Sequence, residues 1–440
     1  MAASHVPFSG ACAWTHRAVG RLLQSPLAAS MLVSVLVFLS ILGLRASGNL
    51  EALELAAYDW YLRVRPGTAK VDSRIVLLAM TEDDIRQQGR WPLPDATLTQ
   101  TLRTLTQYQP RAIGLDLYRD VPVPPGSEDF AATLTGNPRM VAVMKFGTSE
   151  DTGVPPPPGL QAEQVGFTDI VVDPGGIVRR GVLFLDDGNT TVASLALRLA
   201  LLYLRAEGIE PHPDPASPAY LRLGKTTIRP FESNDGGYVN ADANGYQFLL
   251  DFRTHRTFPT FSLSTLLSGE VDPAAIRDKV VLIGAMAVSV KDAFFTPYSR
   301  GLNADQQLPG ITLHAYSVSQ LLRSGLDGHA MIATASEQQE VLWILLWSLL
   351  GAVLGYCIRG PWRFLLAGAS GPLVLGLVGY AALMRGWWIP VVPPVLAWGF
   401  AASLVTAYMS YQERMQRTIL MHLFEQHVSP EVADTIWQQR

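Results

Sequence analysis

The chain has 440 residues, a net charge of −4, and 16% charged against 48% hydrophobic residues. That length exceeds one typical domain, and the charged fraction falls below the roughly 25% of a soluble protein. The acidic balance leaves no basic footprint for nucleic acid, and the two cysteines, Cys12 and Cys357, lie outside the long central region, so that region rests on a packed core and not on an internal disulfide.

Residues 1–26 carry Arg17 and Arg21 and precede a continuous apolar run at 27–44. That run is long for a signal-peptide core and lacks a small-x-small cleavage site, so it reads as an uncleaved signal anchor. Residues 341–358, 364–384 and 391–410 form three more runs of similar character. Each approaches the roughly 20 residues needed to cross a bilayer, where only a helix satisfies its own backbone. Arg359 and Arg363 lie between the second and third runs, and Arg414 and Arg417 follow the fourth. Basic residues favour the cytoplasmic side, so both termini are expected inside and residues 46–339 outside. Trp343, Trp347, Trp387, Trp388 and Trp398 sit near run ends, as an aromatic belt does. Ionisable residues are absent from the middle of the runs, and Gly351, Gly355, Gly368, Gly376 and Gly379 read as helix-packing positions.

Residues 46–339 have the polarity of a globular domain. "NLEALELAAYDWYLRVRPG" reads as a helix continuing out of the membrane and stopped by Pro66 and Gly67. Then strand and helix patterns alternate. "RIVLLAM", "AIGLDL", "MVAVMKF", "YQFLLDF" and "KVVLIGA" are short buried-strand runs, while residues 92–108, 192–206 and 311–322 have helical spacing. The pattern predicts an α/β domain around a mostly parallel sheet. "VRRGVLFLDDGNTTV" and "AYLRLGKTTIRP" read as hairpins beside it, and "EPHPDPASP" and the prolines at 155–158 as stiff loops.

Two motifs are weaker than they look. "GKT" at Gly224–Thr226 lacks the first glycine of a phosphate loop, because Ala219 occupies that place, and it lies between two strands. "NADANGYQFLLD" has calcium-loop spacing but ends on Asp251 and runs into a strand, so an Asn/Gly turn explains it better. The informative residues follow strand ends, where open parallel sheets bind ligands. They are Asp84 after "IVLLAM", Asp116 closing "AIGLDL", Arg253 after "YQFLLDF", and Lys291 and Asp292 after "VVLIGA". His314, in the last helix of the region, completes the candidate ligand-binding set. The alternative is that these carboxylates cap helices and tie loops.

"YDWYLRVRP", "GRWPLPD", "PRAIGLDLY", "VGFTDIVVDPGGIVRR", "YQFLLDFR", "KVVLIGAMAVSVKDAFFTPYS" and "PGITLHAYSVSQLL" together resemble the CHASE domain of the second type. That family comprises extracytoplasmic sensor domains of bacterial signalling receptors, so the resemblance implies a multi-pass protein of the bacterial inner membrane with a periplasmic or extracellular sensor. Thr81, Asp95 and Asp173-Pro174-Gly175-Gly176 depart from the family's usual residues. Three following transmembrane helices and a cytoplasmic output are typical of the family. The tail "LFEQHVSPEVADTIWQQR" is similar to the linker that leads into a class III adenylate or guanylate cyclase domain. Met415, Ile419, Leu423 and Phe424 recur at helical spacing, so residues 411–440 can pair with a second copy. Ser429, Pro430 and Glu431 have the chemistry of a new helix start. The cyclase domain itself, with its paired carboxylates and magnesium ions, is expected beyond Arg440. No catalytic residue, resident metal or cofactor is expected in these 440 residues. The expected partners are the lipid bilayer, a second copy and an unidentified outside ligand. A histidine or serine/threonine kinase output, or a transport subunit with a large outer domain, are the alternatives.

Overall fold

The structure is a computed structural model that describes residues 25–66, 71–147, 152–186, 188, 190–253, 258–299 and 306–425. It divides into two compact units. One comprises the chain up to Ala57, Asn234–Val239 and everything from Thr334; the other comprises Tyr58–Ser233 and Asn240–Ala333.

Helix α1 (Pro26–Ala46) starts on Pro26 behind the N-cap Ser25, and helix α2 is Glu51–Val64. The two are not one continuous helix, as the apolar periodicity suggested. The chain turns at Gly48, whose φ of +77° no ordinary side chain holds cheaply.

The outer domain begins with β1 (Ile75–Met80), α3 (Glu82–Gln88), α4 (Asp95–Gln107), β2 (Ala112–Asp116), α5 (Ser127–Thr135), β3 (Met140–Met144) and β4 (Val165–Phe167). It continues through β5 (Arg180–Asp186), β6 (Thr191–Ala193), α6 (Leu195–Arg205), β7 (Pro211–Pro213), β8 (Leu221–Leu223), β9 (Thr226–Ile228) and β10 (Tyr246–Leu249). It ends with β11 (Thr260–Ser262), α7 (Leu263–Leu267), β12 (Val280–Ala285), β13 (Ala293–Phe294), β14 (Leu308–Pro309) and α8 (Gly310–Leu322).

Six strands form a sheet in the order β11-β1-β12-β2-β3-β4, and every neighbouring pair is parallel. All six residues of β1 and of β12 are buried, as strands covered on both faces must be. Strand side chains alternate between faces. Ile113, Leu115, Val281 and Ile283 point to the layer that holds Leu98 and Leu102 of α4, Phe130 of α5 and Leu266 of α7. The opposite face carries glycines where helices come closest. A Cβ on Gly114 would meet Leu199 of α6 at 2.6 Å, and one on Gly284 would meet Ile311 of α8 at 3.0 Å. The domain is therefore a three-layer α/β sandwich. The link after β2 runs to α5 on one face, and the link after the adjacent β12 runs to α8 on the other. That divergence opens the sheet's carboxyl edge between β12 and β2.

Strand β10 differs from expectation. It pairs antiparallel with β5 in a separate sheet, β10-β5-β6, and not with the parallel strands. The "GKT" hairpin is present as β8–β9, turning on Gly224 and Lys225, and part of the proline-rich "EPHPDPASP" becomes β7 along its edge.

Beneath the second sheet lies a buried ion network. Arg179 donates from Nε and Nη2 to both oxygens of Asp59 (2.7 and 2.8 Å) and from Nη1 to Asp173 (2.9 Å). Arg180 holds the other Asp173 oxygen from Nε and Nη2 (3.0 and 2.7 Å), while its Nη1 reaches Gln247 and the Asp242 carbonyl. Arg65 pairs with Asp251 at 2.6 Å. Three of the segments that carry the family resemblance, "YDWYLRVRP", "VVDPGGIVRR" and "YQFLLDFR", thus meet as matched carboxylates and guanidiniums.

In the other unit, α9 (Glu337–Cys357), α10 (Pro361–Met384) and α11 (Val392–Glu425) join α1 as the four helices, among the described residues, long and apolar enough to cross a membrane. Gly351 and Gly355 let α9 approach the backbone of α11 at Trp398 and Ala402. Gly368 accepts from the Trp398 indole at 3.0 Å, whereas Gly376 faces open space. Trp347 and Trp398 stack edge to face within this bundle, so they pack helices and are not a belt. Ser34 and Ser348 join α1 to α9 by hydrogen bonds of 3.1 and 2.8 Å. Glu54 of α2 accepts from the backbone N–H of Val391 and Val392, which satisfies the start of α11. Helix α11 has 34 residues without a break. At about 1.5 Å per residue it spans ~51 Å, well beyond the ~30 Å of a bilayer core. The fourth span and residues 411–425 of the linker are one rod.

Candidate functional site

A cleft of about 710 Å³ opens at the carboxyl edge of the parallel sheet, where β12 and β2 diverge. Four of the six residues singled out from the sequence line it: Asp116, Lys291, Asp292 and His314. Each arrives there for a local reason. Asp116 ends β2 as the first residue past the buried run. Lys291 closes the turn after β12 at a φ of +58°, a left-handed conformation that costs a non-glycine residue about 1–2 kcal/mol. Asp292 accepts the first backbone N–H of α8 through its carbonyl (Gly310 N, 3.1 Å). Its carboxylate lies over Gly310, so closely that a Cβ there would sit 2.6 Å from Oδ2. His314 follows one turn later on the same face of α8.

The remaining two candidates lie elsewhere. Asp84 sits at the same edge but outside the cleft. It closes a capping box with Thr81 and accepts Ser264 N at 2.9 Å, fastening α3 to α7. Those donors outweigh its burial and hold the carboxyl below its usual range. Arg253 pairs with Asp251 and lines a separate groove with Asp72, Arg74, Arg323 and His329, at the end of the domain where β1 begins. Two residues that depart from the family pattern do fold work too: Thr81 is that cap, and Asp95 accepts from Val123 N and Ser127 Oγ. Asp173, at the head of the third departing segment, is the buried network centre.

The floor of the cleft has an unusual charge state. Burial raises the Asp116 carboxyl to about 7. Burial, then the neighbouring Asp116 charge, raises Asp292 to about 6, and His314 pulls the other way. Burial lowers His314 to about 4 against the attraction of Asp292 and Asp169. His314 Nε2 lies 3.9 Å from Asp116 Oδ2, which is too long for a hydrogen bond, and a neutral imidazole makes no ion pair. Two acids raised by burial and an imidazole lowered by it therefore share the floor. The walls differ. Trp91, Tyr118 and Phe294 give aromatic surface, and Lys145, Lys291 and Arg119 stand around them. Arg119 is tied back to the Leu93 carbonyl at 2.9 Å. Sequence reasoning missed Tyr118, Lys145 and Asp169, although each follows a strand end by one or two residues and obeys the rule that found Asp116.

An α/β domain with a ligand-sized cleft at its switch point, inserted between the first and second of four membrane-length helices, defines a membrane-anchored sensor. The family model of the CHASE2 domain matches residues 35–353, and the chain belongs to that family of extracytoplasmic sensor domains of signalling proteins. No curated protein and no solved structure matches the chain.

Proposed function

We propose that this chain is the input half of a transmembrane receptor. Its outer cleft takes up a small extracytoplasmic ligand, and α11 carries the response to a cyclase-type output domain that makes a cyclic nucleotide. The observation that carries the reading is the cleft itself, built at a topological switch point of a sensor-family domain and lined by Asp116, Asp292 and His314 together with Lys145 and Lys291. Helix α2 supports a route out of the domain. It gives Asp59 to the buried network of the outer domain and Glu54 to the start of α11. A second copy is the expected partner. Tyr411, Met415 and Ile419 are exposed at four-residue steps on α11, a seam on which two rods pair before an output that acts as a dimer. The side chains of Leu423 and Phe424, and Ser429, Pro430 and Glu431, fall outside what the structure describes.

The basic residues Arg17, Arg21, Arg359, Arg363, Arg414 and Arg417 support an inside location for both termini in a bacterial inner membrane. Cysteine labelling tests the arrangement. In a chain with Cys12→Ser and Cys357→Ser, a Tyr118→Cys substitution at the cleft mouth should react with a membrane-impermeant maleimide on intact spheroplasts. An Arg414→Cys substitution should react only after permeabilisation. The reverse pattern rejects the receptor arrangement.

A further inference from the structure

The cleft's lining discriminates among ligands by charge. We propose that its ligand is a small organic cation: an ammonium-bearing molecule whose charged end sits against Asp116, Asp292 and His314 and whose apolar body lies on Tyr118, Trp91 and Phe294. This rests on the cleft being the ligand site, and adds the chemical class.

Three independent observations converge. The first is shape: about 710 Å³ holds a molecule of drug or metabolite size and not just a few waters. The second is the floor. Among the described residues, no donor reaches the carboxyls of Asp116 and Asp292. The His314 side chain is 9% exposed, lines the cleft and likewise has no hydrogen-bond partner among the described residues. Polar groups at a cleft floor that the protein leaves open are available to a ligand that satisfies them. An ammonium offers up to three donors and a positive charge to two carboxylates and an imidazole acceptor, whereas a carboxylate or phosphate would add a third like charge. The third is the mouth. Tyr118 and Trp91 are large aromatic side chains at 43% and 36% exposure, and aromatic faces attract alkylammonium groups as well as apolar bodies. A metal ion is the other candidate for acids. Among the described residues, however, no three acidic, imidazole or thiol groups stand close enough together to hold a metal ion. Lys145 and Lys291 stand on the walls, which suits a ligand with polar atoms beyond the ammonium.

Calorimetric titration of the full chain in lipid nanodiscs, referenced to empty discs, tests this with three near-isosteric probes. These are phenethylamine, 2-phenylethanol and 3-phenylpropionate. The amine should bind, with the alcohol and the carboxylate each at least tenfold weaker. Asp116→Asn and Asp292→Asn should each weaken the amine about tenfold or more, and Val290→Trp, which fills the cleft from the loop after β12, should abolish binding. Alcohol or carboxylate binding as tightly as the amine, and still blocked by Val290→Trp, overturns the cationic class and leaves the cleft as the ligand site. Amine binding indifferent to all three variants overturns both. Magnesium binding that depends on Asp116 and displaces the amine overturns the organic class in favour of a metal. Absence of binding by every probe overturns an ammonium of this size.

Discussion

Asp116→Asn is expected to stabilise the outer domain at pH 8, by on the order of 2–4 kcal/mol. The carboxyl is raised from 3.8 to about 7 by burial alone. A raised acid is at its best when protonated, so the fold keeps all of Asp116's contribution below about pH 4. It loses that contribution as pH rises through 7, where a buried carboxylate must be held without a partner. The amide removes the charge and keeps the shape. Asp292, raised to about 6, acts in the same direction over a narrower window. His314 acts in the opposite direction. Its value falls from 6.5 to about 4, so its contribution is intact above 6.5 and is lost as pH drops towards 4. His314→Gln should therefore flatten the acid side, while Asp116→Asn flattens the neutral side. Thermal melts of the three chains from pH 4 to pH 8 check this. A wild-type chain no less stable than Asp116→Asn at pH 8 contradicts it. Stability gained on removing a side chain marks a group held for binding and not for folding.

Asp173→Asn should do the reverse and cost about 3–5 kcal/mol, the usual result of breaking one side of a buried ion pair. Asp173 is fully buried between two arginines, Arg179 and Arg180, and its oxygens take donors from both. Arg179 keeps Asp59, but Arg180 falls back on Gln247 and a backbone carbonyl. Its charge then stays buried without the Asp173 carboxylate. Urea denaturation followed on the full chain measures the loss, and a double-mutant cycle with Arg180→Met isolates the pair. A loss under about 1 kcal/mol would show that the network is dispensable. Asp116 and Asp173 are the same residue type, Asp173 fully buried and Asp116 partly so. What separates them is whether the fold supplies a partner.

Much of this was legible in the sequence, for identifiable reasons. Strands β1 and β12 announce themselves because a strand covered on both faces must be apolar throughout. The insertion of β12 between β1 and β2 has no local signature, since it is fixed by packing across some 170 residues of chain. Strands β4 and β11 are three residues each, too short to show a period. Strand β10 carries the same kind of apolar run as β1, and nothing local says that β5 is its partner. The break between α1 and α2 rests on Gly48 within an otherwise helical pattern. At the site, the rule that ligands meet strand carboxyl ends found Asp116, Lys291 and Asp292. It overreached at Asp84, where Thr81 three residues earlier is a readable capping box. Arg253 lines a different groove because its strand belongs to the other sheet. The charge state of the floor is tertiary: it rests on the burial that the fold imposes on Asp116, Asp292 and His314.

The central claim is that an outside signal enters at the cleft and leaves along α11. The most direct measurement fuses residues 1–440 to a class III cyclase catalytic domain and reads cyclic nucleotide in membranes. Cyclic nucleotide output should shift when Val290→Trp fills the cleft and when Asp116→Asn changes its floor, while Arg103→Ala, on the exposed surface of α4, leaves it unchanged. Output indifferent to both cleft variants, in chains shown by melting to be folded, would contradict the account.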